Sequence, residues 1–527
     1  MGRRWGTVIV VCALMGALGG CAGDTAGGFA VPASNPNTDA LVAVTAERLE
    51  AAVADLPASV AEAMAETGVP GVAVAVVHEG EVRFAAGFGV RDVEGGEPVD
   101  AETVFPLASV SKSIGATVVA RAIDDGLVTW DTPVTAHLPW FALSDPWAGA
   151  HVTIGAMYAH RSGLYEHAGD DLEDLGYDRT TILERLRHVP LEPFRTTYGY
   201  ANYDITAAAE SVARAAGEAW EDLSARLLYD PLGMTSTSSR FSDLEARTNR
   251  ALGHVPAGAG TGWVVSPEQR RPDAQSPAGG VSSSVTDLAA WMRMVLAPDG
   301  FISDEALLPA LTAQIPTATP VTAAARGSFY GYGYNVSAGP GGLVDVNHSG
   351  AFMLGAGTTF TLLPGTDLGI VVLTNARAIG VAEAIAHRFT DLAQFGEARG
   401  DWLEMYGTAM AAVNAPTGDL AGVSAPASPV PAGAAESYVG LYRNDFYGPA
   451  EIVLEGDELV LRLGPTGVLP LEHWDGDVFA FQPPGENGGP GSRSSASFVG
   501  DTLVLGVYDE HGLGTFVRDT APATLVG

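Results

Sequence analysis

Phe105-Pro106-Leu107-Ala108-Ser109-Val110-Ser111-Lys112, running into an apolar, helix-like stretch over residues 114–123, is the segment from which the rest of the chain can be read. Ser109 and Lys112 are three residues apart, a spacing that puts hydroxyl and amine on one helix face within reach of each other. Ser109 is expected in the first turn, where free backbone N–H groups and the helix dipole favour developing negative charge. The amine can then act as general base on the hydroxyl. Lys112 is also the one lysine of the chain; the other 27 of 28 basic side chains are arginine. Arginine keeps its proton at any accessible pH, whereas a desolvated amine can lose it, so a lone lysine marks a place where proton transfer is needed. The spacing alone is a weak signal, because a surface lysine often follows a serine by three.

Further motifs follow in order. Tyr200-Ala201-Asn202 stands 91 residues beyond Ser109, and His348-Ser349-Gly350 lies further on. Between and around them come Thr153-Ile154, His160-Arg161-Ser162-Gly163-Leu164, Pro231-Leu232-Gly233-Met234 and Pro277-Ala278-Gly279-Gly280, the last followed by residues 282–288. Taken singly, His160 reads as a structural hydrogen-bonder, and Gly279 and Gly280 as turn residues.

As an ordered set they resemble the β-lactamase and penicillin-binding superfamily, over residues 44–413. Tyr-x-Asn as second motif is similar to class C β-lactamases and related esterases and peptidases; class A enzymes carry Ser-Asp-Asn there. The resemblance implies an α+β fold, an antiparallel sheet flanked by helices with a helical insert. It also implies a serine hydrolase in which Ser109 is the nucleophile, Lys112 the base, Tyr200 the relay to the leaving group, and Asn202 the residue that orients lysine and substrate. The N–H groups of Ser109 and Ala351 would form the oxyanion hole, on a strand with His348, Ser349 and Gly350, where His348 would polarise or position substrate. Lys112 is expected to be the neutral resting base, with Tyr200 the alternative.

The third motif is ordinarily Lys-Thr-Gly, and a largely neutral histidine at 348 holds a substrate carboxylate poorly. This favours a small ester, amide or D-amino-acid peptide as the acyl substrate over β-lactams or cell-wall peptides. A β-lactamase or D,D-carboxypeptidase, and a non-catalytic sensor binding peptidoglycan fragments or β-lactams, stay open as alternatives. No metal or other cofactor is expected, since the eleven histidines form no His-Glu-x-x-His or similar cluster.

The chain is long enough for two folded units, and 47% hydrophobic with 17% charged residues is a globular composition. Arg3 and Arg4 followed by an uncharged run over residues 8–18 read as a signal peptide, too short to span a bilayer. Leu18-Gly19-Gly20-Cys21 resembles a bacterial lipobox, implying cleavage before Cys21 and a lipid anchor on its thiol; plain secretion is the alternative. The expected organisation is a leader over 1–20, a flexible tether over 21–43 and an extracytoplasmic body held at the cell envelope. Cys12 would leave with the leader, so no internal disulfide is possible. A formal charge of −34 makes nucleic acid an improbable partner.

Residues 71–77 and 82–90 around Glu79-Gly80 read as one β-hairpin, and 358–363 and 368–373 around Pro364-Gly365 as another. Residues 207–228 and 287–296 have helical periodicity. A Pro-, Ala-, Gly- and Ser-rich stretch over 414–435 reads as a linker to a small all-β unit, 436–527, with strands at 438–442, 450–454, 458–463, 478–481, 497–499 and 502–508. Tyr438-Val439-Gly440-Leu441-Tyr442 and His473-Trp474 make it resemble the small barrel-like domain often appended to such hydrolases, a structural or substrate-capping module. The acidic run Asp170-Asp171-Leu172-Glu173-Asp174 reads as a solvated loop in preference to a cation site.

Overall fold

The computed structural model describes residues 42–258, 262–320 and 322–520. The leader, Cys21 and nearly all of the tether lie outside the described residues.

Helix α1 (Ala46–Thr67) begins where the Thr45 hydroxyl accepts from the Arg48 N–H and ends at Gly68, whose positive φ closes it. Strand β1 (Gly71–His78) turns through Glu79 and Gly80, both at positive φ, into β2 (Glu81–Gly89). A two-residue turn with both centres left-handed matches the twist of the strands it joins. The sheet is completed after the helical insert by β3 (Ile315–Pro316), β4 (Ser328–Tyr330), β5 (Asn335–Ala338), β6 (Val344–Phe352), β7 (Ala356–Leu363) and β8 (Leu368–Thr374), in the order β2-β1-β8-β7-β6-β5-β4-β3. The start and the end of the larger unit thus meet at β1 and β8, with Val74 opposite Val372.

The burial of β1 fixes three layers. Val72, Val74 and Val76 pack with α1 and a late helix, Val381–Phe395, while Ala73, Ala75 and Val77 pack on the other face into the core containing Ser111–Asp124 and Val285–Leu296. Every β1 residue but His78 is buried, so both faces are apolar and the strand reads as a continuous run.

Two expectations change. The helical segment over 207–228 is broken: one helix, Asn202–Ala216, ends at Gly217 in the left-handed region, and a short one, Trp220–Ser224, restarts after it. The C-terminal unit is a closed eight-stranded barrel, adding Gly467–Asp475 and Thr515–Arg518 to the six strands expected. First and last strands pair through Tyr442 and Arg518, and closure leaves no open edge.

The stretch between the units is fastened at several points. Asn414 donates to the Ala378 carbonyl, and Asp419 accepts from both Ser494 and Ser495. It forms a strap along the molecule.

Candidate active site

Ser109 sits on a 3₁₀ turn, Ala108–Val110, one step before the helix Ser111–Asp124 begins. The expected helical first turn is therefore tighter than α. Ala108 holds φ = 47°, a costly backbone for a residue with a β-carbon. Behind it, the Thr358 hydroxyl donates to the Leu107 carbonyl at 2.7 Å. This ties the turn that carries Ser109 to β7.

Lys112 is fully buried. Its Nζ lies 3.0 Å from Ser109 Oγ and donates to Asn202 Oδ1 at 2.6 Å and to the Ala278 carbonyl at 3.1 Å. The amine also lies 4.7 Å from the centre of the Tyr200 ring. Burial pulls the amine down to about 7, opposed by the nearby Asp170 carboxylate. An amine with this poise is available in its neutral form at physiological pH. Tyr200 is pushed up by burial, only partly offset by its hydrogen bond with Ser109, so its phenol is protonated in the resting site. Between the two candidate bases, burial favours Lys112.

Asn202 and Tyr200 are set by their neighbours. Asn202 Nδ2 donates to Asp170 Oδ2 at 2.8 Å, and the His167 ring meets the same oxygen at 2.9 Å. Because Asp170 takes the amide nitrogen, the amide oxygen faces Lys112. His160 clasps the backbone around Tyr200: its carbonyl accepts from Gly199 N–H at 2.9 Å and its Nδ1 accepts from Ala201 N–H at 3.2 Å. This is the structural part expected of it; burial, with Lys112 close by, holds its ring well below the usual histidine range, so it stays neutral.

Gly350, on β6, packs directly on the turn that carries Ser109; a β-carbon there would lie 2.8 Å from the Ser109 nitrogen and 2.3 Å from the Leu107 carbonyl oxygen. Ser349, Gly350 and Ala351 line a cavity of about 910 Å³ with Ser109, Tyr200 and Asn202.

His348 takes a different place from the one expected. It is buried, and its Nδ1 faces the Ser349 carbonyl at 2.7 Å while its Nε2 meets the Tyr330 hydroxyl at 2.8 Å. A carbonyl can only accept, so Nδ1 carries the hydrogen and Nε2 accepts from the phenol. Both ring nitrogens are committed inside the protein, and burial holds the ring at about 3. His348 is a neutral brace for β6, with neither nitrogen free to polarise substrate.

The acidic run is likewise no solvated loop. It forms a short helical turn, Asp170–Asp174, at the junction with the barrel. Arg270 pairs with Glu173 at 2.5 Å and with Glu486, from the barrel, at 3.5 Å. Glu486 also accepts from the Met353 N–H at 2.5 Å. Burial beside two further acids pushes Asp174 up to about 8, against the pull of Arg270. Tyr447, Glu486, Tyr508 and His511 complete the cavity wall, and His511 stacks on Tyr165 with ring centres 3.6 Å apart. The sequence signalled none of these barrel contributions. Among the described residues no cluster of His, Cys, Asp and Glu side chains could hold a metal ion.

A three-layer fold around a Ser-Lys-Tyr-Asn constellation with its lysine fully buried and a glycine strand pressed on the serine defines a β-lactamase-like hydrolase. The chain belongs to the beta-lactamase family, whose model matches residues 56–395; residues 424–499 match a domain of unknown function, DUF3471. Among curated proteins it is 27% identical to the unguisins hydrolase ungD of Aspergillus violaceofuscus over 81% of this chain and 82% of that one. It is 30% identical to penicillin-binding protein 4 of Amycolatopsis lactamdurans (67% and 90% covered) and 28% to esterase EstB of Burkholderia gladioli (64% and 94%). Its fold is similar to the octameric penicillin-binding protein homologue of Pyrococcus abyssi, with a TM-score of 0.59, 21% identity, and 88% and 100% of the chains covered.

Proposed function

We propose that the protein is a serine hydrolase that cleaves a small ester, amide or D-amino-acid peptide bond through an acyl-enzyme on Ser109. The observation that carries this reading is the fully buried Lys112 amine, 3.0 Å from Ser109 Oγ and poised near 7. In the first step neutral Lys112 takes the Ser109 proton as Oγ bonds to the carbonyl carbon. The carbonyl electrons move onto oxygen, which the N–H groups of Ser109 and Ala351 receive. As the tetrahedral species collapses, Tyr200 passes a proton to the leaving group. Water then attacks the acyl-enzyme with the same groups in reverse order. Asn202, fixed by Asp170, keeps the amine directed at the serine.

The committed nitrogens of His348 support ester and amide substrates over penicillins and cell-wall peptides, because no cation stands at the third motif to hold a carboxylate. The barrel wall supports a substrate-capping part for the C-terminal unit. The leader and Cys21 motif favour a lipid-anchored, extracytoplasmic protein; loss of membrane fractionation in a Cys21→Ser variant tests this.

The deciding experiment treats the protein and its Ser109→Ala variant with p-nitrophenyl esters and nitrocefin, following acylation by intact mass. Ester turnover with little nitrocefin hydrolysis, both lost in the variant, is expected. Faster turnover of nitrocefin than of esters would overturn the preference in favour of a β-lactamase, and a trapped, undischarged adduct would point to a sensor.

A further inference from the structure

The three motifs leave part of the cavity unused. Helix Trp402–Val413 packs against Val381–Phe395, and from this pair Met410, Val413 and Glu383 line the cavity together with Ala378 and Ser349. Glu383 is only 5% exposed, and its Oε2 is buried with no hydrogen-bond partner. Burial pushes the carboxyl up, opposed by its own backbone N–H and by the Ser349 hydroxyl. A buried carboxylate oxygen without a donor is costly, and folded proteins keep few of them without a use.

The surroundings supply no cation for that oxygen. Glu383 interacts electrostatically with Tyr406, as does Asp345, and His387 directs Nδ1 at the Glu383 backbone carbonyl, not at its side chain. Among the described residues lining the cavity, Arg270 is the one permanently charged cation, and it is held by Glu173 and Glu486. Glu383 is thus a buried carboxyl on the cavity wall with one oxygen unpartnered, beside the apolar side chains of Met410 and Val413.

Resting on the acyl-transfer reading above, we propose that this region is a specificity pocket for a primary ammonium group on the substrate, received by Glu383. The methylenes leading to the ammonium would lie along Met410 and Val413, where an aliphatic stem is favoured, and the charge would meet the unpartnered oxygen. Glu383 contacts the substrate away from the reacting bond and sets which substrates are accepted.

The test is calorimetric titration of the intact protein with hexylammonium chloride and with 1-hexanol, its neutral counterpart, in wild type, Glu383→Gln and Met410→Lys. The ammonium should bind at least about tenfold more tightly than the alcohol in wild type, and the preference should vanish in both variants. Met410→Lys supplies an internal cation from the facing helix, so it decides the matter should Glu383→Gln fail to fold. Equal affinity for the two ligands in wild type, or a preference that survives either folded variant, overturns the proposal. Intact-mass acylation by p-nitrophenyl acetate on the same wild-type samples separates the two readings. Acylation without ammonium preference removes the pocket alone; preference without acylation supports the pocket and removes the acyl-transfer reading.

Discussion

Gly350 presses on the backbone of Ser109 so closely that a β-carbon would stand 2.8 Å from its nitrogen. A Gly350→Ala change must push β6 away from the nucleophile turn, and displacement of this size on a reacting group costs about 100-fold in rate. The expected outcome is a kcat for ester hydrolysis lower by about two orders of magnitude, with overpacking costing about 1–3 kcal/mol of stability. Single-turnover acylation together with a thermal melt measures both.

In the proposed mechanism Lys112 acts as a neutral base, so kcat/KM should rise with pH through an inflection near 7. Lys112→Arg and Lys112→Met both remove that base and should lose about 100-fold to 10,000-fold in rate. Stability moves the other way. The folded amine titrates near 7 and the unfolded one near 10.5, so below pH 7 the fold bears the whole penalty of a buried cation. That penalty fades as pH rises from 7 to 10.5, because the unfolded chain then binds more protons than the folded one. Lys112→Met should therefore melt higher than wild type at pH 6.5, with the gap closing by pH 10. Calorimetric scans across that range check the sign.

Asp170 supports the charged form of Lys112 and fixes the Asn202 amide. Asp170→Asn should move the acid-side inflection to lower pH, since one stabilising charge for the ammonium is gone. With Asn202 less firmly held, kcat/KM on the plateau should fall about tenfold. A pH-rate profile reads both effects, and an inflection moved to higher pH would contradict the assignment.

His348→Ala leaves the buried Tyr330 hydroxyl without its acceptor, which costs about 1–3 kcal/mol. Since the ring is neutral at any pH above about 3, its loss should lower the melting temperature and the rate but leave the inflection near 7 in place. Guanidinium chloride unfolding beside a pH-rate profile distinguishes this brace from a titrating catalytic group.

The parts of the site that are local in sequence could be read from it. Ser109 and Lys112 declare themselves by spacing and by the solitude of the lysine, and the two hairpins by turn residues and apolar strands. What escaped depends on tertiary pairing. Arg270 and Glu486 are 216 positions apart, and nothing in an acidic run tells whether an arginine will come to meet it. His348 reads as a substrate contact from its place in the third motif, and the phenol of Tyr330 that occupies it comes from a separate strand, which the sequence does not reveal. Pro470 and the polar residues after it disguise the strand Gly467–Asp475, a pattern in which proline ordinarily argues against a paired strand. Gly217, lying inside a run of otherwise good helix periodicity, was outvoted by its neighbours.

The arginine shared by Glu173 and Glu486 ties the two modules together across their junction. A chain cut at the strap would leave Arg270 with one of its two ion-pair partners and strip the Met353 amide of its acceptor, at the first residue past the strand that carries Ala351. A barrel transplanted from a relative would have to bring an acid to the position of Glu486 as well as new side chains to the cavity. Substitutions in the barrel can accordingly reshape the cavity wall while leaving Ser109 and Lys112 as they stand.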